Sequence, residues 1–492
     1  MVHSQPAETT APAIVWFRDD LRVADNPALA AAAKTGRPVI ATFVLDEESA
    51  GLRPLGDASR WWLVGSLRAL DQSLQERGIA LTLRRGAAGR AIVELVRESG
   101  AAAIFWNRRY EPAGAALDQT IAVELAARGL DVQTFQASLL FEPQQARTRA
   151  GAPFSVFTPF LRHVLALAEP RTPLPAPERI SGVSGIASDR LEGWGLESSA
   201  PDWAAKFDKH WTRGEDAARE KLAAFTDGAL AGYADLRDRP DLPNTSRLSP
   251  HLRFGEISPF QVWHAVKHAR EVAPAKRSIA AGADKFISEL IWREFCHHLL
   301  ARDPDLAERN FQPRFDAFPW RSDPAPLAAW RRGETGYPIV DAGMRELWAT
   351  GWMHNRVRMV AASFLVKHLL IDWRAGERWF WDTLVDADAA NNPANWQWVA
   401  GSGADAAPYF RIFNPVLQGE KFDPAGTYVR RWVPELARLP ADVIHAPFAA
   451  PPAILAAAGV KLGTTYPTPI VDHKAARKRA LAAFERIKSS GR

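Results

Sequence analysis

An α/β domain built on a Rossmann-like parallel sheet, followed by a mostly α-helical domain, is the fold that this 492-residue sequence predicts. Three observations lead there. Short β-branched apolar runs alternate with Ala-rich amphipathic stretches up to about residue 135. A stretch rich in Pro, Ser and Gly follows. From about residue 206 strand signals nearly vanish and helical periodicity takes over.

Residues 13–17 (AIVWF) and 38–45 (PVIATFVL) are apolar and β-branched and read as strands, with the Ala-rich helix 27–34 between them, making one β-α-β unit. Residues 61–77 form an amphipathic helix, 80–83 a strand, 91–98 a helix, 103–106 a strand, 118–128 a helix and 132–135 a strand. Such regular alternation implies a parallel sheet with helices on both faces. Its ligands sit at the carboxyl ends of the strands, which points to residues 18–26 and 107–111. No GxGxxG follows the first strand, so a dinucleotide held here in the standard way is not expected. The segment EPRTPLPAPERISGVSG, within 142–201, reads as a long surface linker. Helices are predicted beyond it at 216–225, 257–272, 284–300, 341–350 and 352–370. The domain bounds that follow are 11–137 for the α/β domain, 138–205 for the linker, 206–470 for the helical domain and 471–492 for a tail. Residues 473–492 carry seven Lys or Arg against only Glu485, which reads as a solvated basic tail.

The length exceeds one typical core, and 47% apolar with 24% charged residues is the composition of a soluble globular protein. The net charge of +5 is mild and does not by itself require a nucleic-acid partner. One cysteine, Cys296, excludes an intramolecular disulfide and supplies too few thiolates for an iron–sulfur cluster or a structural zinc site. The N-terminus MVHSQPAETTAPA lacks an export pattern, and no apolar run reaches membrane-spanning length, so a cytoplasmic protein is expected.

The chemistry concentrates in the second domain. Residues 373–398, WRAGERWFWDTLVDADAANNPANWQW, combine clustered tryptophans, the acids Asp386 and Asp388 and the amides Asn391 and Asn392. Aromatic clusters usually fill cores, but beside acids and amides they suggest a redox cofactor. The two acids have no nearby His, so no metal site is expected. Residues 245–250 (TSRLSP) place hydroxyls and Arg247 ahead of a proline, a pattern suited to an anion or to a simple helix cap. Along the helix from residue 284, Glu289, Trp292, Arg293 and Cys296 recur at spacings of three and four and share adjacent faces. Asn355 and Met359 stand four apart with Arg356 and Arg358 beside them.

Together these stretches resemble the photolyase/cryptochrome family over almost the whole length. The matches run collinearly from WFRDDLRVADNPAL through TSRLSP, ELIWREF and TGYPIVDAGMRELWATGWMHNRVRM to DADAANNPANWQW and APYFRIFNPVLQGEKFDP. The resemblance implies an antenna pigment on the α/β domain and a folded FAD inside the helical one. Tyr233 and Thr245, Ser246, Arg247, Leu248 and Ser249 would hold the FAD phosphates. Phe286 stands where many relatives have Trp. Arg293 and Arg358 would lie beside the isoalloxazine, Asp386 and Asp388 would bond the ring and the sugar chain, and Asn392 would face flavin N5. Asn is the photolyase-like choice there; plant cryptochromes tend to have Asp and animal ones Cys. Trp396, Trp373 and Trp320 match a relay that carries electrons from the surface to the flavin.

The resemblance also implies the substrate. Trp292 and Trp398 would wall a cyclobutane pyrimidine dimer flipped out of DNA, and photolyases are among the cited principle's own examples of base flipping. Glu289 would hydrogen-bond the lesion, Asn355 and Met359 would line the pocket, and Glu289 and Asn355 are counted with the cofactor as well. Arg237 and Arg356 would contact flanking phosphates. The (6-4) photolyases carry His where Asn355 and Met359 stand, which favours the cyclobutane lesion. The expected activity is therefore deoxyribodipyrimidine photo-lyase, with a cryptochrome-type blue-light sensor as the alternative. The expected antenna, near Asn107 and Glu111, is methenyltetrahydrofolate in preference to a deazaflavin. The expected partner is damaged DNA, and the expected state is a monomer.

Overall fold

The structure, a computed structural model, describes residues 11–197, 203–273, 277–406 and 410–489. Five parallel strands, β1 (Ala13–Phe17), β2 (Val39–Leu45), β3 (Leu81–Arg85), β4 (Ala103–Asn107) and β5 (Asp131–Phe135), form one sheet in the order β3-β2-β1-β4-β5. The connecting helices are α1 (Pro27–Lys34), α2 (Asp57–Gln75), α3 (Ala88–Ser99) and α4 (Pro112–Ala127). Successive strand residues point to opposite faces. Ala13, Val15 and Phe17 pack with Trp62 and Leu67 of α2, while Ile14 and Trp16 pack with Ile92 of α3 and Ile121 of α4. With both faces covered, the inner strands β1, β2 and β4 are buried throughout and read as near-continuous apolar runs, whereas the edge strand β5 (DVQTF) is largely exposed. Strand order reverses between β1 and β4, which places a crevice beyond their carboxyl ends.

The described residues beyond the sheet domain are mostly helical, and they share a core with the sheet. Phe207, Trp211, Phe254, Trp352 and Val385 join the cluster that contains α2. Two glycines allow the close approach: a Cβ at Gly56 would lie 2.2 Å from Trp381 O, and one at Gly255, whose φ is +64°, would lie 2.1 Å from Asp19 O. No helix among the described residues is long and apolar enough to cross a membrane.

Three expectations are corrected. The 138–205 stretch is not bare linker: it contains α5 (Phe157–Leu165), which buries Phe157, Phe160 and Val164 in the cluster of Ile291 and Phe295. The tail is not free in solvent either. The helix His473–Ser489 buries Ala476, Ala480, Ala483, Phe484 and Ile487, with Ala480, Ala483, Phe484 and Ile487 against Phe315, Phe318 and Phe410, while Lys474, Arg477, Lys478, Arg486 and Lys488 stay exposed. Residues 490–492 lie outside the described residues. The segment predicted as one helix over 352–370 is an α-helix, Asn355–Ser363, continued by a π turn, Phe364–His368.

Candidate functional site

Asp386 joins three segments far apart in sequence. Its Oδ2 accepts the Ser249 hydroxyl at 2.6 Å and an Arg358 N–H at 2.8 Å, while its Oδ1 is buried without a partner. Ser249 Oγ also accepts from Trp352 Nε1 at 3.2 Å, and Arg358 Nε donates to Met353 O. The Ser249 hydroxyl, expected beside an anion, is thus given to a carboxylate. In the same loop Arg247 has φ +52° and lies over the rings of Trp211, at 4.3 Å, and Trp352, at 4.9 Å; its Nε is buried without a partner, and burial lowers its pKa. Ser246 Oγ accepts from Leu248 N, Leu248 is core, and Thr245 is half-buried.

Asp388 is occupied by the chain itself. Its Oδ1 accepts the N–H groups of Ala390 and Asn391, and its Oδ2 accepts Asn391 Nδ2, tying down the start of the helix Asn391–Ala400. Asn392 follows in the first turn of that helix. Its Nδ2 donates to Glu377 Oε1 at 2.8 Å and to Glu377 O at 3.0 Å.

The helix Arg277–Arg302 carries the face expected to meet the lesion. Glu289 pairs with Arg237 and, at 2.9 Å, with Lys285. Phe286 packs against Tyr233 and Phe225. Trp292 has one face stacked on Phe157, with centroids 3.7 Å apart and planes 9° off parallel. Arg293 donates to Ser138 O and pairs with Glu294. Arg356 pairs with Asp238 and lies over Phe422, so both arginines expected to meet DNA phosphates hold carboxylates in this structure. Asn355 is exposed at the start of its helix, with Met359 half-buried one turn on. Trp398 is half-buried beside a cavity of about 150 Å³ that Lys367 and Phe410 also line.

The three tryptophans expected to form a relay share one cluster and differ in depth. Trp396 and Trp373 are buried and Trp320 is half-buried. Trp396 meets Phe380 and Trp330 edge-on at 4.9 and 6.2 Å, Trp373 Nε1 donates to Asn310 Oδ1 at 2.9 Å, and Trp320 lies 4.4 Å from Phe318.

At the strand ends, Asn107 is a clamp. Its amide donates to Asp20 and Asn26 and accepts from Ala28 N, leaving no donor to offer a pigment. Glu111 is half-buried at the start of α4, and burial and Asp19 raise its carboxyl pKa. Neither residue lines the cleft of about 670 Å³ between α4 and the end of the helix Arg277–Arg302.

Comparison with known proteins decides the family. Residues 13–178 match the family described as DNA photolyase, and residues 286–486 match the FAD binding domain of DNA photolyase. The deoxyribodipyrimidine photo-lyase of Agrobacterium fabrum is 54% identical, over 98% of this chain and 99% of that protein. The chain belongs to the photolyase/cryptochrome family. Cryptochrome-1 of Arabidopsis thaliana is 43% identical over 96% of this photolyase-family chain and 70% of that protein. A bacterial class III photolyase from Agrobacterium tumefaciens has the same fold, with a TM-score of 0.94 and 52% identity over 99% of this chain and 100% of that one.

The donor set in this photolyase-family chain fits a flavin. Asp386 Oδ1 and Arg247 Nε are buried without partners, and Asn392 Oδ1 has none among the described residues, which gives two acceptors and a donor. Sequence reasoning missed three residues that order this region. Glu377 is buried under Asn392, Arg53 pairs with Glu377, and Arg253 joins Asp19 at the end of β1 to Ala387 O. Only Glu377 left a signal, as an acid on the buried stripe with Trp373 and Trp381.

Proposed function

We propose that the protein splits cyclobutane pyrimidine dimers in DNA under light, as a deoxyribodipyrimidine photo-lyase. The observation that carries this reading is the 54% identity, over nearly the full length of both chains, to a protein of that name, against 43% to a plant cryptochrome. Asn392, rather than Asp, agrees with it.

FAD, when bound, supplies light absorption and electron donation. Around it Asp386, fixed by Ser249 and Arg358, accepts from the cofactor, Arg247 and its loop face the phosphates, and Arg293 borders the ring. Asn392 presents its carbonyl to flavin N5. Trp292, backed by Phe157, and Trp398 wall the flipped dimer, with Asn355 and Met359 beside them. Glu289 accepts from the pyrimidine edge. Arg237 and Arg356 exchange their carboxylate partners for DNA phosphates, which makes binding weaken with salt. The two carbon–carbon bonds that join one pyrimidine to the other break, each base regains its ring double bond, and there is no net redox change, so no co-reactant is consumed. Trp320, Trp373 and Trp396 would carry electrons from the surface to flavin that is not yet fully reduced, a step separate from the repair cycle. A folate antenna beside Glu111, a monomeric state and a cytoplasmic location complete the reading.

The test is repair. Protein shown by its spectrum to hold fully reduced flavin is mixed with thymine-dimer DNA, and dimer loss is followed under blue light against a dark control. Light-dependent loss is expected. Binding without splitting would leave the blue-light sensor as the reading.

A further inference from the structure

Asn392 is linked through Glu377 to a residue of the other domain. Arg53, in the segment between β2 and α2, grips Glu377 with both arms: NH1 reaches Oε1 at 2.7 Å and NH2 reaches Oε2 at 3.0 Å. The guanidinium also lies 3.9 Å over the Trp381 ring, so its plane is set from two sides. The Glu377 carboxylate is 2% exposed and Arg53 27%, which makes Arg53 the group standing between that carboxylate and solvent.

The hydrogen-bond chemistry then has one solution. A backbone carbonyl can only accept, so the Asn392 atom facing Glu377 O at 3.0 Å must be Nδ2, and its second proton goes to Glu377 Oε1 at 2.8 Å. Both amide protons are used, and Oδ1 is turned away. An acceptor held at a ring nitrogen favours the protonated state of that nitrogen. We propose that Arg53 is a positioning residue for Asn392, acting through Glu377 so that the Asn392 carbonyl, and not its NH2 group, faces the flavin. This inference rests on the reading that Asn392 faces flavin N5.

Without Arg53, Glu377 is a buried carboxylate that has lost its cation, and it swings toward the opening that the guanidinium filled. Asn392 keeps only the backbone acceptor, and its amide spends part of the time reversed, with a donor toward N5. Reduced flavin, which carries the N5 proton, is then less favoured.

The test is the two-electron midpoint potential of bound FAD at one pH, with FAD content and melting temperature measured alongside. Arg53→Ala is expected to shift the oxidised-to-reduced ratio about tenfold toward oxidised, a fall of about 30 mV, with FAD still bound. Arg53→Lys, which keeps the charge and loses the fork, should recover part of the shift and serves as the test if Arg53→Ala does not hold FAD. Glu377→Gln keeps an acceptor for Asn392 Nδ2, and in that background Arg53→Ala should add nothing. An unchanged potential in Arg53→Ala, where Asn392→Ala does shift it, would overturn the role of Arg53 alone. An unchanged potential in Asn392→Ala would overturn the reading of Asn392 as well, and the inference with it.

Discussion

Gly376 lies directly beneath the indole of Trp396: a Cβ at 376 would stand 2.1 Å from Cη2 and 2.5 Å from Cζ3 of that ring. The glycine of WRAGERW is therefore a seat for Trp396, one tryptophan of the proposed relay. Glycine within a helix costs about 1 kcal/mol relative to alanine, so its presence there needs such a reason.

Gly376→Ala should consequently slow flavin photoreduction by added reductant, because the displaced Trp396 must move away from its place beside Phe380 and Trp330. Overpacking of this kind costs about 1–3 kcal/mol, which exceeds the helix-propensity gain, so the melting temperature should fall. An unchanged photoreduction rate would show that Trp396 does not carry the electron.

Asp386→Asn is expected to weaken FAD retention. The carboxylate side chain is 3% exposed and holds both Ser249 and Arg358. Loss of a charged hydrogen-bond acceptor is worth about 1.5–3 kcal/mol, or roughly a hundredfold in dissociation constant at the upper end. Release of FAD, followed by its fluorescence on dilution, measures this directly.

Phe157→Ala should lower affinity for dimer-containing DNA and leave the flavin spectrum unchanged. Phe157 supports the face of Trp292 opposite the proposed lesion, and a stacked pair contributes about 0.5–1.5 kcal/mol beyond its area. Affinity should fall a few-fold by mobility shift. Equal affinity for the variant would remove Trp292 from the lesion wall.

Glu294 should make stability depend on pH. Burial raises its carboxyl to about 7, against the opposing pull of Arg293 and of backbone N–H groups such as that of Phe141. Its pKa is higher folded than unfolded, so its contribution is fully present below about pH 4.5 and is lost as pH rises through about 7. The loss is on the order of 3 kcal/mol. The stability difference between Glu294→Gln and the native protein should therefore move in favour of the variant across that window, by denaturant titration at several pH values. A difference independent of pH would place the Glu294 pKa in the ordinary carboxylate range.

Much of the fold was legible. The inner strands were readable because both faces of the sheet are covered there, so AIVWF is apolar throughout and VIATFVL apolar but for Thr42. The start of α4 was placed late, at 118 instead of Pro112, because PAGAAL has no polar face to mark a period. The last helix read as a solvated tail because its buried stripe is mostly alanine, a weak hydrophobic signal beside five exposed cations. Within α5, Phe157 lay in a Pro-rich setting that argued for linker, and its role came from Trp292, 135 positions away.

Composition, period and motif by themselves determined the two-part architecture, the family and the stretches from which the site is built, since each of these is written in neighbouring residues. Tertiary structure alone decided which of those residues are free to act. It engaged Asn107 with Asp20 and Asn26, gave the Ser249 hydroxyl to Asp386, and brought Arg53 to Glu377 across 324 positions. A polar atom is available to a cofactor only if no nearer partner has taken it, and that competition is settled by distances created when the two domains pack together.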